Sequence, residues 1–596
     1  MTSPATATTS RTGHVLLALA AVAVAFAAAD TYVVVLSLPE MMASAGLSID
    51  QLQRAAPIIS GFLLGYVAML PLIGRIADVR GRLPVLVGSL LVFAFGSLVT
   101  AASYDLASLV VGRFLQGLGG GGLVPVTLAL VADLYPVERR GVPLGVVGAV
   151  QELGSVLGPL YGAAVLAVGG WRDIFWINLT VGLVLAAAVA ATRSVGPPGT
   201  PASPAGRRGR VDIVGLVLGA LALAGMLLVM RQPTALVTSV RWGGPFVPFT
   251  DGGSIWMSPI GVATIALAVV LLGWLLASPW SAVDRPAWRR SLAETDLVGA
   301  MLLAVALAGV ILAFATADPQ VQVFSAAGPW YLALAALSAL AFWWHNRRAR
   351  HALVPRGSLA QRPAWGAIVV SFFIGAALIA ALVDIPIFAR VSVYGDSQVR
   401  AALVLVEFLL ALPVGAVLGG FLIRRLPTGA VTAVGLLLSA VGFELMSRWD
   451  EDALHHPSSS VVLALTGLGF GLALAPVNAA LLASTAARVH GVTSALLVVA
   501  RMVGMLVGIS ALTTTGLHRY YVVQSGFPSP GRVCGDGRTR CDAYTALLQH
   551  AGIEQLQTVF VGAGVCAAAA AVLALATFRG SGTGGATRAE LLRTVS

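Results

Sequence analysis

Apolar runs of about 20 residues, the length that crosses hydrocarbon, recur along the whole chain and are broken by short polar, arginine-bearing segments. Six come first, at 14–36, 55–74, 84–102, 106–132, 141–168 and 174–191. A Pro-, Gly- and Arg-rich joint follows at 193–210, then four runs at 211–230, 259–277, 297–316 and 327–344. A basic joint at 347–362 leads to the last six, at 364–388, 401–423, 429–446, 461–482, 492–512 and 559–576. Runs this long with so few charges predict membrane-crossing helices. The expected fold is an all-α polytopic membrane protein, with six-helix units at 1–195 and 364–596 joined by about four additional helices at 196–363.

The joining segment carries an internal repeat. RVDIVGLVLGALALAG from Arg210 and ETDLVGAMLLAVALAG from Glu294 match at an offset of 84 residues, which predicts a duplicated helical hairpin. Asp212 and Asp296 stand at the starts of their runs and are expected to cap helix N-termini.

Composition agrees, with 58% hydrophobic and 11% charged residues and a mean hydropathy of +0.89, values far outside those of soluble domains. All 37 basic residues are Arg. With both termini placed in the cytoplasm, 24 arginines fall inside, 11 outside and two within spans, as the positive-inside rule requires. The net charge of +11 therefore reflects topology, and no nucleic-acid partner is expected. The polar N-terminus leads into the first run without a small-residue cleavage site, so that run reads as an uncleaved anchor. A chain without Lys cannot carry a Walker-type phosphate loop. The spans also hold no H-x4-D, no H-E-x2-H and no clustered His or Cys, so neither a metal site nor a membrane-embedded lipid-modifying enzyme is favoured.

Charges inside the runs are the candidate chemistry, because an ionisable group at bilayer depth costs several kcal/mol. Glu152 stands near the middle of 141–168, in a run that spaces Gly145, Gly154, Gly158, Pro159 and Gly162 as G-x8-G-x3-G-P-x2-G. Aligning RRGVPLG with VHGVTSA places Gly141 opposite Gly491, so Gln151 corresponds to Arg501 and Glu152 lies one residue further. A carboxylate and a guanidinium then sit at matching depth in equivalent helices, either as a pair that forms and separates between states or as a permanent buried pair. Asp30 and Arg113 both lie in outer parts of their runs and can pair, statically or in competition with a proton. Asp384, near an outer end beside Ile385 and Pro386, is expected to be solvated; Glu407 is deeper, and both are secondary candidates. Asn478 reads as a packing hydrogen-bond group.

GRIADVRGR, with Gly74, Asp78, Gly81 and Arg82 in the segment between the second and third runs, resembles the G-x3-D-x2-G-R loop of the major facilitator superfamily. GRFLQG, with Arg113 and Gln116, is similar to its R-x2-Q-G pattern, and the glycine and proline spacing around Glu152 matches its antiporter motif. ADTYVVV and WRDIFWIN resemble the many-helix drug:proton antiporter branch. Together with QELGSVLGPLYG and VVARMVGMLVG they look like actinobacterial exporters of triacylglycerides and hydrophobic drugs that work with an envelope lipoprotein. The resemblance implies two six-helix major facilitator bundles in the plasma membrane and export of a hydrophobic compound or lipid driven by proton entry, with the proton gradient in place of a cofactor. It departs in the middle, where the branch has two extra spans and this chain shows four runs. A non-transporting scaffold for envelope assembly is the competing expectation.

Three cysteines are present. Cys566 lies in an apolar run, whereas Cys534 and Cys541 flank Gly535, Asp536 and Gly537 in the long segment 513–558. Facing an oxidising compartment, those two are expected to form a local disulfide in a folded external element that either guides cargo or only resists proteolysis.

Overall fold

The computed structural model describes residues 11–47, 52–192, 212–239, 241–250, 253–278, 285–315, 327–394, 398–535 and 541–579. Every regular element among them is helical, as a chain without water to bond its backbone requires. The first bundle holds α1 (Arg11–Ser44), α2 (Leu52–Ala68), α3 (Leu70–Arg80), α4 (Arg82–Ala102), α5 (Leu106–Leu134), α6 (Gly141–Val168) and α7 (Trp171–Ala191). The insertion holds α8 (Ile213–Arg231), the short α9 (Thr234–Val237), α10 (Pro259–Ala277), α11 (Arg285–Ala293), α12 (Leu297–Ala315) and α13 (Gly328–Arg348). The second bundle holds α14 (Arg362–Ser392), α15 (Gln398–Leu422), α16 (Thr428–Met446), α17 (Pro457–Ala483), α18 (His490–Ser525), the short α19 (Pro530–Cys534) and α20 (Asp542–Thr577).

Among the described residues, 14 segments are long and apolar enough to cross a membrane by length and composition. The other two runs read in the sequence are helical as well. α6 packs between α1 and α15. α13 exposes Trp330 at one end and Trp343 and Trp344 at the other, where the two interfaces of a bilayer hold indole rings.

Three expectations are corrected. The second run does not stop at Gly74: it breaks at Met69, because Pro71 near the start of α3 has no N–H for the ladder, and continues to Arg80. Gly74 and Asp78 are therefore helical instead of lying in a loop, and Gly81 alone, at φ +95°, separates α3 from α4. The segment 513–558 is mostly not a loop but the last turns of α18 and the first turns of α20, helices each 36 residues long. At 1.5 Å per residue each spans about 54 Å, against about 30 Å of hydrocarbon. Arg519 bridges to Glu554 at 2.6 Å between these extensions, and the expected Cys534–Cys541 disulfide closes their tip with a Cα separation of 5.6 Å. Asp536 and Gly537 of that turn, and the 193–210 joint, lie outside the described residues.

Each of the two matching segments opens a helical hairpin. α8 pairs with α10 and α12 with α13. Asp212 accepts from the Gly215 N–H and the Trp274 indole at 2.8 and 3.0 Å. Asp296 accepts from the Gly299 N–H at 2.8 Å and lies 2.8 Å from His345 Nε2. Each aspartate thus caps its own helix and clasps the end of the partner helix.

Glycines set the spacing inside both bundles. Added side chains at Gly154 and Gly158 of α6 would run into the Ala25 and Ala29 carbonyls of α1. Those at Gly504 and Gly508 of α18 would meet Phe372 and Ala376 of α14. The bundles themselves meet where α3 crosses α18 at Gly74 and Gly491, and where α6 crosses α15 at Gly141 and Gly420.

A leucine at Gly154 or Gly504 would separate a helix pair whose backbones touch, at a cost of about 1–3 kcal/mol for overpacking. Either variant should lower the thermal unfolding midpoint of the purified protein by several degrees, whereas leucine at Gly219, which has open space around its Cα, should not. Equal melting of all three would remove the packing role.

Candidate transport site

Asp30 sits on α1 at 1% exposure and is surrounded by donors. Arg113 Nη1 of α5 donates to its Oδ2 at 2.8 Å, and Gln116 Nε2, one turn on, donates to Oδ1 at 2.9 Å. Asn178 Nδ2 of α7 donates to the same Oδ1. Gln116 also accepts from Arg113 at 2.6 Å and donates to Ser97 of α4 at 3.0 Å. The Arg113 guanidinium lies 4.4 Å above the Phe62 ring, a cation–π contact that suits a desolvated cation. Two helices, α5 and α7, thus converge on the α1 carboxylate, and α4 joins the network through Ser97. Removing its charge would leave Arg113 buried and uncompensated, so a proton on Asp30 must be felt by every helix in the cluster.

Glu152 and Arg501 occupy the interface between bundles. Glu152 lies eleven residues past Gly141 and Arg501 ten past Gly491, which puts them about 16 and 15 Å from the layer where the bundles meet. They are 8% and 7% exposed. Tyr66 of α2 is buried as well, at 6% exposure. Glu152 and Arg501 make no direct ion pair among the described residues, and Arg501 Nε is buried without a hydrogen-bond partner. The permanent pair weighed from the sequence is therefore not what this conformation contains. Gln151, the symmetry mate of Arg501, is half-buried beside Glu152.

The third part is the latch. Asp78 accepts from the N–H groups of Gly491 and Val492 at 2.8 and 2.9 Å, so a carboxylate from one bundle sits on the helix N-terminus of the other, where the macrodipole favours an anion. Arg82 bonds the same Asp78 carboxylate, reaches Asp133 of α5 at 3.1 Å, and donates to the Ala487 carbonyl ahead of α18 at 3.3 Å. Gly74 gives the backbone room for this approach, since a side chain there would meet the Gly491 carbonyl. On α6, Gly145 packs on Ala416 of α15 while Gly154, Gly158 and Gly162 pack on α1. Pro159 lies within the same helix.

A model of the Major Facilitator Superfamily matches residues 20–318. The triacylglyceride transporter of Mycolicibacterium smegmatis is 33% identical over 579 residues, covering 94% of this chain and 87% of its own length. The chain belongs to the major facilitator superfamily. The triacylglyceride transporter of Mycolicibacterium hassiacum is 36% identical, with 84% and 78% covered, and that of Mycobacterium tuberculosis H37Rv is 34% identical, with 86% and 84% covered. Among solved structures, the proton:xylose symporter XylE superposes with a TM-score of 0.51 at 14% identity, covering 99% of this chain and 100% of its own. The human organic anion transporter MFSD10 gives 0.50 at 15% identity, with 94% and 99% covered. At such identities these two speak for the fold alone. The family and the names of its relatives here are those of multi-pass membrane transporters, not enzymes.

One secondary candidate is placed differently from expectation. Asp384 is not solvated: it is 4% exposed on the face of α14 that buries Ala381, Ile385 and Phe388. Glu407 is exposed on α15, at helical spacing with exposed Leu403, Leu410 and Val414. Neither joins the clusters above. Asn478 donates to the Leu474 carbonyl of its own helix at 2.9 Å. Sequence reasoning missed Asn178, Ser97 and Tyr66; the signal for Asn178 was a lone amide ending WRDIFWIN inside an apolar run.

Asp78→Asn would replace charge-assisted bonds worth about 1.5–3 kcal/mol and loosen the latch. A cysteine at Ala495, which faces Gly74, should then react with a thiol reagent about tenfold faster or more in purified protein. An unchanged alkylation rate would show that Asp78 does not hold the bundles together.

Proposed function

We propose that this chain is a proton-coupled exporter of hydrophobic compounds, lipids of the triacylglyceride class and hydrophobic drugs among them, working by alternating access in the plasma membrane with both termini cytoplasmic. The observation that carries the reading is Glu152 and Arg501, buried at matching depth on helices of opposite bundles, with no direct ion pair between them and the Arg501 Nε without a hydrogen-bond partner. Ionised, Glu152 draws the bundles together; protonated, it releases Arg501 and lowers the cost of separating them. Asp30 holds the second exchangeable charge, within the first bundle. The latch at Asp78 closes one end of the path while these groups are reached from the other. Relatives named as triacylglyceride transporters support the lipid class of cargo.

The disulfide-closed extensions of α18 and α20 rise beyond the bilayer on the outer face in this orientation. Cargo of this class needs shelter from water after leaving the membrane. We place the docking of an envelope lipoprotein there, as the resemblance to lipoprotein-assisted exporters implies.

The test is transport of a fluorescent triacylglyceride by proteoliposomes with and without an imposed proton gradient. Glu152→Gln, Asp30→Asn and Arg501→Ala should each reduce gradient-driven transport at least tenfold, a loss of about 1.4 kcal/mol or more, while leaving the proteins monodisperse. Transport at the intact rate in all three variants would overturn the mechanism. Transport by the intact protein that ignores the gradient would overturn proton coupling.

A further inference from the structure

The two inserted hairpins share an internal plan but occupy different places. The α8–α10 hairpin rests against the edge of the first bundle, where Met230 packs with Val99 and Ala102 of α4. The Trp256 indole that precedes α10 donates to the Tyr104 hydroxyl at 3.1 Å. The α12–α13 hairpin instead stands in the seam between bundles. Leu307 and Ile311 of α12 are 9% and 0% exposed and belong to one core cluster with Phe62 and Tyr66 of α2. Leu303 of α12 and Met502, Val503 and Leu506 of α18 pack against the same cluster. Its outer helix turns Leu334, Leu337 and Leu340 outward at 49%, 66% and 63% exposure. The hairpin is also held at its end: Arg80 of α3 lies 5.2 Å over the Trp288 ring of α11, and Asp296 clasps His345.

We propose that the α12–α13 hairpin is a lateral seal. It fills the α2–α18 seam in place of lipid and closes that side of the Tyr66–Glu152–Arg501 site to membrane lipid and to cargo dissolved in it. The position requires this role of it: α2 and α18 carry Tyr66 and Arg501, and without α12 their flank at Leu303, Leu307 and Ile311 would face hydrocarbon. A guanidinium one helix width from lipid would then draw headgroups and water into the seam. An apolar helix bound on one side to α2 and α3 closes the seam while leaving a smooth, leucine-rich face for α18 to move across. The second hairpin thus determines from which side of the protein a hydrophobic molecule reaches the site.

The experiment uses the intact protein in proteoliposomes doped with phosphatidylcholine carrying a diazirine in its acyl chain. After illumination, labelled peptides are mapped by mass spectrometry. Labelling at Leu334–Leu340 of α13 should exceed labelling at Met502–Leu506 of α18 several-fold, with and without a proton gradient. Thinning the seal with Leu307→Ala and Ile311→Ala together should raise labelling at Met502–Leu506 several-fold and leave Leu334–Leu340 unchanged. Equal labelling of the two segments in the intact protein would overturn the seal, and that comparison stands even where the double variant does not fold. Labelling at Met502–Leu506 that the double variant leaves unchanged would overturn the assignment to α12. Neither result depends on whether transport is driven by protons.

Discussion

Helices in hydrocarbon gain nothing by burying leucine against leucine, since lipid tails offer the same contact, and they stay together where backbones approach closely enough for dispersion and polar contact to act. This constraint organises the molecule. α6 meets it twice along one helix: Gly141 and Gly145 bring it onto α15 of the other bundle, and Gly154, Gly158 and Gly162 bring it onto α1 of its own. A helix fixed to both bundles cannot shift against one without changing its angle to the other. Glu152 sits between those two sets of contacts, where such a change is felt most.

The two bundles repeat one design at an offset of 350 residues, and the departures from it are informative. Arg140 bonds the Ala132 and Tyr135 carbonyls at the end of α5, and His490 reaches Leu482 and Thr485 at the end of α17, each pair of partners 350 residues apart. Gly154 and Gly504, and Gly158 and Gly508, keep the same packing role. Polar chemistry is not repeated. Arg113 and Gln116 have Leu463 and Thr466 as counterparts, and Glu152 has Met502. At the latch, Asp78 lies four residues past Gly74, whereas Arg424 lies four past Gly420. Only the first arrangement puts an anion on a facing helix N-terminus; Arg424 is exposed and lies 5.3 Å over the Phe421 ring. Shared glycines keep the bundles alike in shape, whereas the buried charges are not shared.

Most of the fold was legible because the signals are local. Length and hydropathy mark the helices, the match at 84 residues marks the paired hairpins, and Asp212 and Asp296 cap as their positions imply. What failed depends on which way a side chain faces. Asp384 stands near a span's outer end, where solvation is the ordinary expectation, but Phe388 and its neighbours turn that face of α14 inward. A break at Met69 and helical ends beyond Leu512 were invisible because hydropathy ends at the membrane surface and helices do not. The Asp30 cluster was half legible: Arg113 and Gln116 carry a motif, but Asn178 comes from a helix 148 residues away, and no spacing rule links it to Asp30.

The insertion shows how duplication and placement divide the labour. Both hairpins keep an aspartate that caps one helix and bonds a ring N–H group at the far end of its partner. The first copy met an α4 edge that belongs to one bundle and can only ride with it. The second met a seam between two, where the same apolar surface excludes lipid from an interface that must carry charge. Its form comes from the repeat, and its consequence for transport comes from where the repeat was set down.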